Sequence, residues 1–213
     1  MTPKVKICGL REATHARVAV ESGADYLGFV FAPTRRYVAP ETVAAIARDL
    51  PRSVPKVGLF VNERAEKIEE IAALCRLDYV QLCGDESPEF CAALAVPAIK
   101  SLRVRGPEIA DAVERYAPVA TWVQLDGFQP GAYGGTGTSF DWQLAGALSE
   151  RHRIMLAGGL TPNNVAEAIA TAHPWGVDVS SGVEIDGRKD PEKIREFIAA
   201  AKRGATGATV QLP

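Results

Sequence analysis

The sequence predicts a single-domain, closed (β/α)8 TIM barrel, and three observations carry that reading. Eight short β-branched runs alternate with amphipathic, alanine-rich stretches almost without a break. Strict alternation implies a parallel sheet joined by right-handed crossovers, and eight such units are what closure into a barrel requires. The 213 residues lie near the short end of that fold's range, about 200 to over 400. A doubly wound sheet is the alternative, but it would usually need fewer strands or a second domain.

The strand runs are, in order, "VKICG", "YLGFVF", "KVGLFV", "YVQLC", "AIKSLRV", "WVQLD", "IMLAG" and "GVDVSSG". Between them the pattern predicts helices over Ala13–Ser22, Pro40–Leu50, Ala65–Cys75 and Pro88–Ala95. Four more follow over Pro107–Tyr116, Asp141–Leu148, Pro162–Thr171 and Pro191–Lys202. Ser87-Pro88, Thr161-Pro162 and Asp190-Pro191 each read as a capping side chain followed by proline, whose missing N–H has no partner to lose in the first turn. No linker breaks the chain, so residues 1–203 read as one catalytic domain and 204–213 ("GATGATVQLP") as a flexible tail.

Composition narrows the classes. Apolar residues make up 47% and charged residues 23%, ordinary for a globular protein. A net charge of −2 without a basic block argues against a nucleic-acid partner. The N-terminus has no signal-peptide run, and no stretch approaches the roughly 20 apolar residues that span a bilayer, so no membrane partner is expected. The four cysteines (Cys8, Cys75, Cys83, Cys91) show no CxxC pair and fit a reducing cytoplasm.

In a barrel of this kind the working groups gather at the C-terminal strand ends. Cys8 ends the first run, Cys83 the fourth and Asp126 the sixth. Gly158-Gly159 end the seventh and Ser180-Ser181-Gly182 the eighth, followed by small residues that let backbone amides approach a ligand. With the amide-rich "YGGTGTSFDW" they point to phosphate binding by the last three loops. Asp126 has no adjacent helix to cap and faces a long loop with glycines at 127, 131, 134, 135 and 137. A strand-end thiol is, taken alone, more often a small buried hydrophobe than a catalyst. Alternation puts Lys6 on the face of Cys8, one layer deeper, where a buried ammonium needs a partner, and Asp178 on the closing strand is the candidate.

"VKICGLRE", "ESGADYLGFVFAP", "RRYV", "VGLFVNE", "VQLCGDE", "YGGTGTSFDW", "LAGGLTPNNV" and "DVSSGVE" together resemble the phosphoribosylanthranilate isomerases of tryptophan biosynthesis. The likeness runs from about Val5 to Lys202. It implies a cofactor-free, metal-independent enzyme that performs an Amadori rearrangement on a phosphosugar–anthranilate substrate. It implies Cys8 as general base, which calls for a thiol pKa lowered towards neutrality, and Asp126 as general acid, which must hold its proton there. Arg36 is implied to bind the anthranilate carboxylate, with Arg35 its competitor because "FAPTRRYV" is one residue shorter than the common family loop. The phosphate falls to Gly135, Thr136, Gly137, Gly158, Gly159, Ser180, Ser181 and Gly182. Cys83 stands where most members carry histidine and is read as lining the pocket. A homodimer is left open.

Three rivals remain at this point. A metal-dependent pentulose-phosphate epimerase would want histidines and carboxylates converging at strand ends, which this chain lacks. Indole-glycerol-phosphate synthase would want a strand-end lysine, and Lys100 sits early in its strand. A non-catalytic phosphosugar-binding barrel would have no need of Cys8 and Asp126 together. His15, His152 and His173 read as solvated.

Overall fold

The computed structural model describes residues 2–127 and 141–204. Eight parallel strands close in sequence order, each neighbour paired with the next and β8 returning to β1. They are β1 (Lys4–Ile7), β2 (Tyr26–Val30), β3 (Lys56–Phe60), β4 (Tyr79–Leu82), β5 (Ala98–Val104), β6 (Val123–Gly127), β7 (Ile154–Leu156) and β8 (Gly176–Val179). The helices outside them are α1 (Ala13–Glu21), α2 (Pro40–Asp49), α3 (Ala65–Cys75), α4 (Pro88–Ala93), α5 (Ile109–Tyr116), α6 (Trp142–Ser149), α7 (Val165–Ala172) and α8 (Pro191–Gly204). The expected boundary after residue 203 cuts into the last turn of α8, and residues 205–213 lie outside those described.

Alternation along the strands sorts side chains into two cores. Outward-facing Val5, Ile7, Leu27, Val80, Leu125 and Val177 meet the apolar stripes of the helices in the main core. Inward-facing residues fill the barrel in layers. At its N-terminal end Tyr26, Tyr79, Trp122 and Trp175 pack ring against ring, with centroids 5.0–6.0 Å apart. Val57, Ile99 and Met155 complete this floor. Above it the lining turns polar, with Lys6, Gln81, Ser101, Gln124 and Asp178 all buried.

The caps divide. Ser87 Oγ accepts from Phe90 N at 3.2 Å and Asp190 Oδ1 from Lys193 N at 2.8 Å, as expected of caps ahead of proline. The cap expected at Thr161-Pro162 is absent. Residues 161–164 make a turn, in which Asn164 Oδ1 accepts from Thr161 N at 2.7 Å and Asn164 Nδ2 donates to Gly159 O at 2.9 Å. The helix therefore starts at Val165, because Asn164 secures the loop before the helical bonds begin.

Beyond β8 the chain adds an element that the sequence reading missed. A short 3₁₀ turn, Ser181–Val183, leads into a hairpin of β9 (Glu184–Ile185) and β10 (Arg188–Lys189). Asp186 and Gly187 turn it, both at positive φ (50° and 76°), which is the Asp-Gly signature of tight hairpins.

Candidate active site

Lys6 points into the barrel from β1, and Cys8 follows it on the same face, one residue past the strand's end. Its seat depends on β2: a Cβ at Gly28 would stand 2.9 Å from Cys8 Sγ and 3.1 Å from its Cα. Only hydrogen there leaves room for the thiol. Gly9, at φ +74°, clears the other side, since a Cβ would fall 2.7 Å from Arg36 Cδ and 3.0 Å from Ser180 Oγ.

Lys6 Nζ donates to Asp178 Oδ1 at 3.1 Å and to Gln81 Oε1 at 2.9 Å. Gln81 Nε2 in turn donates to Cys83 Sγ at 3.4 Å. Burial pulls the Lys6 ammonium down, but Asp178 and the nearby thiols outweigh it, so its pKa lies above the ordinary value. The expected Lys6–Asp178 partnership is thus present, with Gln81 as a third member that alternation on β4 could have revealed.

The thiols depart from expectation. Burial pushes Cys8 up from its ordinary pKa, and Lys6, Lys189 and Arg36 recover only part of that shift while Asp178 adds to it. Burial thus favours the thiol form of Cys8, and Asp178 opposes the help that Lys6 gives the thiolate. Burial drives Cys83 up as well, to about 12, which suits a lining group.

Asp126 is buried on β6, above Gln124 on the same face, and stands opposite Arg103 in the β5–β6 register. Arg36 is also buried, at 7% exposed, whereas the Arg35 side chain is 62% exposed. Glu184 takes Arg36 in a fork, Oε1 to Nε at 2.7 Å and Oε2 to Nη2 at 2.9 Å. Lys189 Nζ reaches the same carboxylate at 2.8 Å and Ser180 O at 2.7 Å. Burial would raise Glu184, but the Arg36 and Lys189 bonds hold it well below the carboxylate range, at about 2. Sequence reasoning overlooked both Glu184 and Lys189. The opposite charges flanking Asp186-Gly187 were the available signal.

Cys8, Arg36, Cys83 and Asp126 line one pocket at the C-terminal mouth of the barrel. Gly158, Gly159, Ser180 and Ser181 line its other side. Gly158 and Gly159 have φ of 85° and 66°, so this stretch needs glycine to turn its backbone into the mouth. Gly182 does not line the pocket. A Cβ there would overlap Leu160 O, so this glycine lets the β8 loop pack on the β7 loop. Gly135, Thr136 and Gly137 lie outside the described residues.

Among the described residues no group of three or more His, Cys, Asp or Glu side chains is disposed to hold a metal ion. Lys100 faces out of the barrel, bound to Glu86 and Gly84 O at 2.7 Å each. None of the three histidines lines the pocket. His152 Nε2 lies 3.1 Å from Glu114 and His173 ends α7, while His15 is half-buried beside Glu12 rather than solvated.

The model of the family described as N-(5'phosphoribosyl)anthranilate (PRA) isomerase matches residues 5–200. The N-(5'-phosphoribosyl)anthranilate isomerase of Geobacter sp. (strain M21) is 50% identical over 202 residues, 94% of this chain and 98% of that protein. A phosphoribosylanthranilate isomerase from Thermotoga maritima, described as dimeric, shares the fold with a TM-score of 0.84 at 40% identity, covering 94% of this chain and 99% of that one. A phosphoribosyl anthranilate isomerase in complex with reduced 1-(o-carboxyphenylamino)-1-deoxyribulose 5-phosphate matches with the same score, identity and coverage. By the barrel, the family match and this identity over nearly its whole length, the chain belongs to the N-(5'-phosphoribosyl)anthranilate isomerases, the enzymes of tryptophan biosynthesis that interconvert an aldose and a ketose.

Proposed function

We propose that Cys8 is the general base and Asp126 the general acid in converting N-(5'-phosphoribosyl)anthranilate into 1-(2-carboxyphenylamino)-1-deoxyribulose 5-phosphate. Asp126 gives its proton to the furanose ring oxygen as the C1'–O bond breaks, and the anthranilate nitrogen's lone pair closes an iminium. Cys8 removes the C2' proton, and the electrons of that bond form an enol-amine. A proton returned from Cys8 to C1' while the C2' hydroxyl gives up its own to Asp126 yields the ketone, so both groups are restored and the product is an isomer of the substrate. Arg36 binds the anthranilate carboxylate by charge-assisted hydrogen bonds, its plane held by Glu184. Backbone amides of Gly158–Gly159 and Ser180–Ser181, with Gly135, Thr136 and Gly137, carry the phosphate. Cys83 lines the pocket without entering the chemistry.

The observation that supports this reading most is the convergence of Cys8, Asp126, Arg36 and the glycine-rich loops on one pocket. The reading includes a cytoplasmic enzyme that uses no cofactor, acts on no nucleic acid or membrane, and forms a homodimer as the Thermotoga relative does. Loss of phosphoribosylanthranilate fluorescence on adding the purified protein tests it, run with and without excess EDTA. Full turnover in both is expected. Absence of turnover would overturn the catalytic reading, and activity lost on chelation and restored by a divalent ion would overturn the cofactor-free one.

A further inference from the structure

We propose that Gln124 binds substrate directly, its side-chain amide taking a hydrogen bond from a hydroxyl of the opened pentose chain. This rests on the isomerase reading of the pocket. That reading gives the anthranilate carboxylate to Arg36, the phosphate to the loop amides and the ring oxygen to Asp126, and it assigns no partner to the other hydroxyls of the opened chain.

Gln124 is 2% exposed and lines the pocket. Its Oε1 is buried with no hydrogen-bond partner among the described residues. Native proteins rarely leave such an oxygen unmatched, since burial strips its water without replacing it. Gln81, in the same polar layer, shows the contrast: its oxygen accepts from Lys6 and its nitrogen donates to Cys83. Trp122 Nε1 and Trp142 Nε1 are likewise unmatched, but neither tryptophan lines the pocket.

Position and chemistry agree on the ligand group. Alternation on β6 puts Gln124 on the face of Asp126, one layer deeper, beneath the point where the ring oxygen is protonated. Opening the furanose frees a chain of neutral hydroxyls over that floor. A neutral amide matches them, whereas a charged group would add its own burial cost. A hydroxyl can donate to the amide oxygen or accept from its nitrogen, so the pairing holds whichever way the amide is turned.

The test compares wild type with Gln124→Met, which keeps the length and removes the polarity, and with Gln124→Leu as a second apolar variant. Steady-state kinetics should show kcat/KM lowered by roughly tenfold, the loss of one neutral hydrogen bond. The melting temperature should hold or rise, because the unmatched oxygen is gone. Calorimetry then uses reduced 1-(2-carboxyphenylamino)-1-deoxyribulose 5-phosphate and three analogues, each lacking the hydroxyl at C2, C3 or C4. Wild type should bind one analogue more weakly than the parent, and Gln124→Met should be indifferent to that same deletion. Unchanged kcat/KM in the apolar variants, or losses that simply add for all three analogues, would overturn the assignment. A purely structural glutamine would lower the melting temperature and leave the analogue pattern intact. Should the wild type itself fail to turn over substrate, the isomerase reading fails instead, and the two failures are told apart.

Discussion

Glu184 grips Arg36 side-on, Oε1 on Nε at 2.7 Å and Oε2 on Nη2 at 2.9 Å, while Lys189 takes the same carboxylate at 2.8 Å. One buried anion thus serves two buried cations at the rim of the pocket. The arrangement ties the β9–β10 hairpin to the loop after β2 and orients the guanidinium. Its energetics follow from the carboxylate, held at about 2 by those two partners.

A carboxylate with a depressed folded-state pKa stabilises the protein above its unfolded value, and the stabilisation disappears as pH falls through the folded one. For Glu184 the window runs from about pH 4.5 down to about 2. Chemical denaturation across that range should show the loss in wild type. Glu184→Gln should be less stable at pH 7, because two cations lose their anion, and should show a flatter acid limb. Parallel acid limbs in the two proteins would remove Glu184 from the account.

The burial of Cys8 has a kinetic consequence. Because its thiol is pushed above the ordinary value, kcat/KM should climb with pH and still be rising near the usual thiol pKa of about 8.5. Cys8→Ser should lower kcat by roughly 10²–10⁴ and abolish that limb, with KM moving far less. Asp126→Asn should cost a similar factor by withdrawing the acid. A serine variant with near-normal kcat would exclude Cys8 from the mechanism.

Arg36 and Arg35 separate binding from chemistry. Arg36 lines the pocket, and its proposed partner is a carboxylate remote from C2', so Arg36→Met should raise KM about ten- to a hundredfold with kcat nearly intact. Arg35 is solvated, and Arg35→Met should change little. Kinetics on the two variants side by side decide the register of the shortened loop, and a larger KM penalty for Arg35→Met would reverse the assignment.

Gly28 offers a test of positioning. Its Cβ would sit 2.9 Å from Cys8 Sγ, so Gly28→Ala should displace the thiol and lower kcat, at about 1–3 kcal/mol of stability from overpacking. Denaturation and kcat measured together check this. No change in either would mean that the thiol can yield at no cost.

The barrel was legible because its determinants are local and repetitive. The eight alternating runs, the caps at Ser87 and Asp190 and the strand-end positions of Cys8, Cys83 and Asp126 follow from periodicity and turn chemistry. Even the Lys6–Asp178 pair could be read from alternation, since barrel closure puts β8 beside β1. Where the structure departed from the reading, side-chain packing had intervened. Asn164, bonded to Thr161 and Gly159, tied down the β7 loop and moved the start of α7, and Leu160, from another loop, claimed the space beside Gly182.

The balance of the electrostatics belonged to the tertiary structure. A sequence shows a lysine two residues from a cysteine, but not that burial outweighs the help that lysine gives the thiolate. Nor does it show that Glu184, 148 residues from Arg36, clamps the guanidinium implied to bind substrate, or that Gln124 Oε1 lacks a partner among the described residues while Gln81 bonds through both its amide atoms. Charges and buried polar atoms are governed by burial and by distances of a few ångströms between segments far apart in the chain. The sequence by itself determined which side chains stand at the mouth of the barrel, and only the fold decided which of them had already found one another.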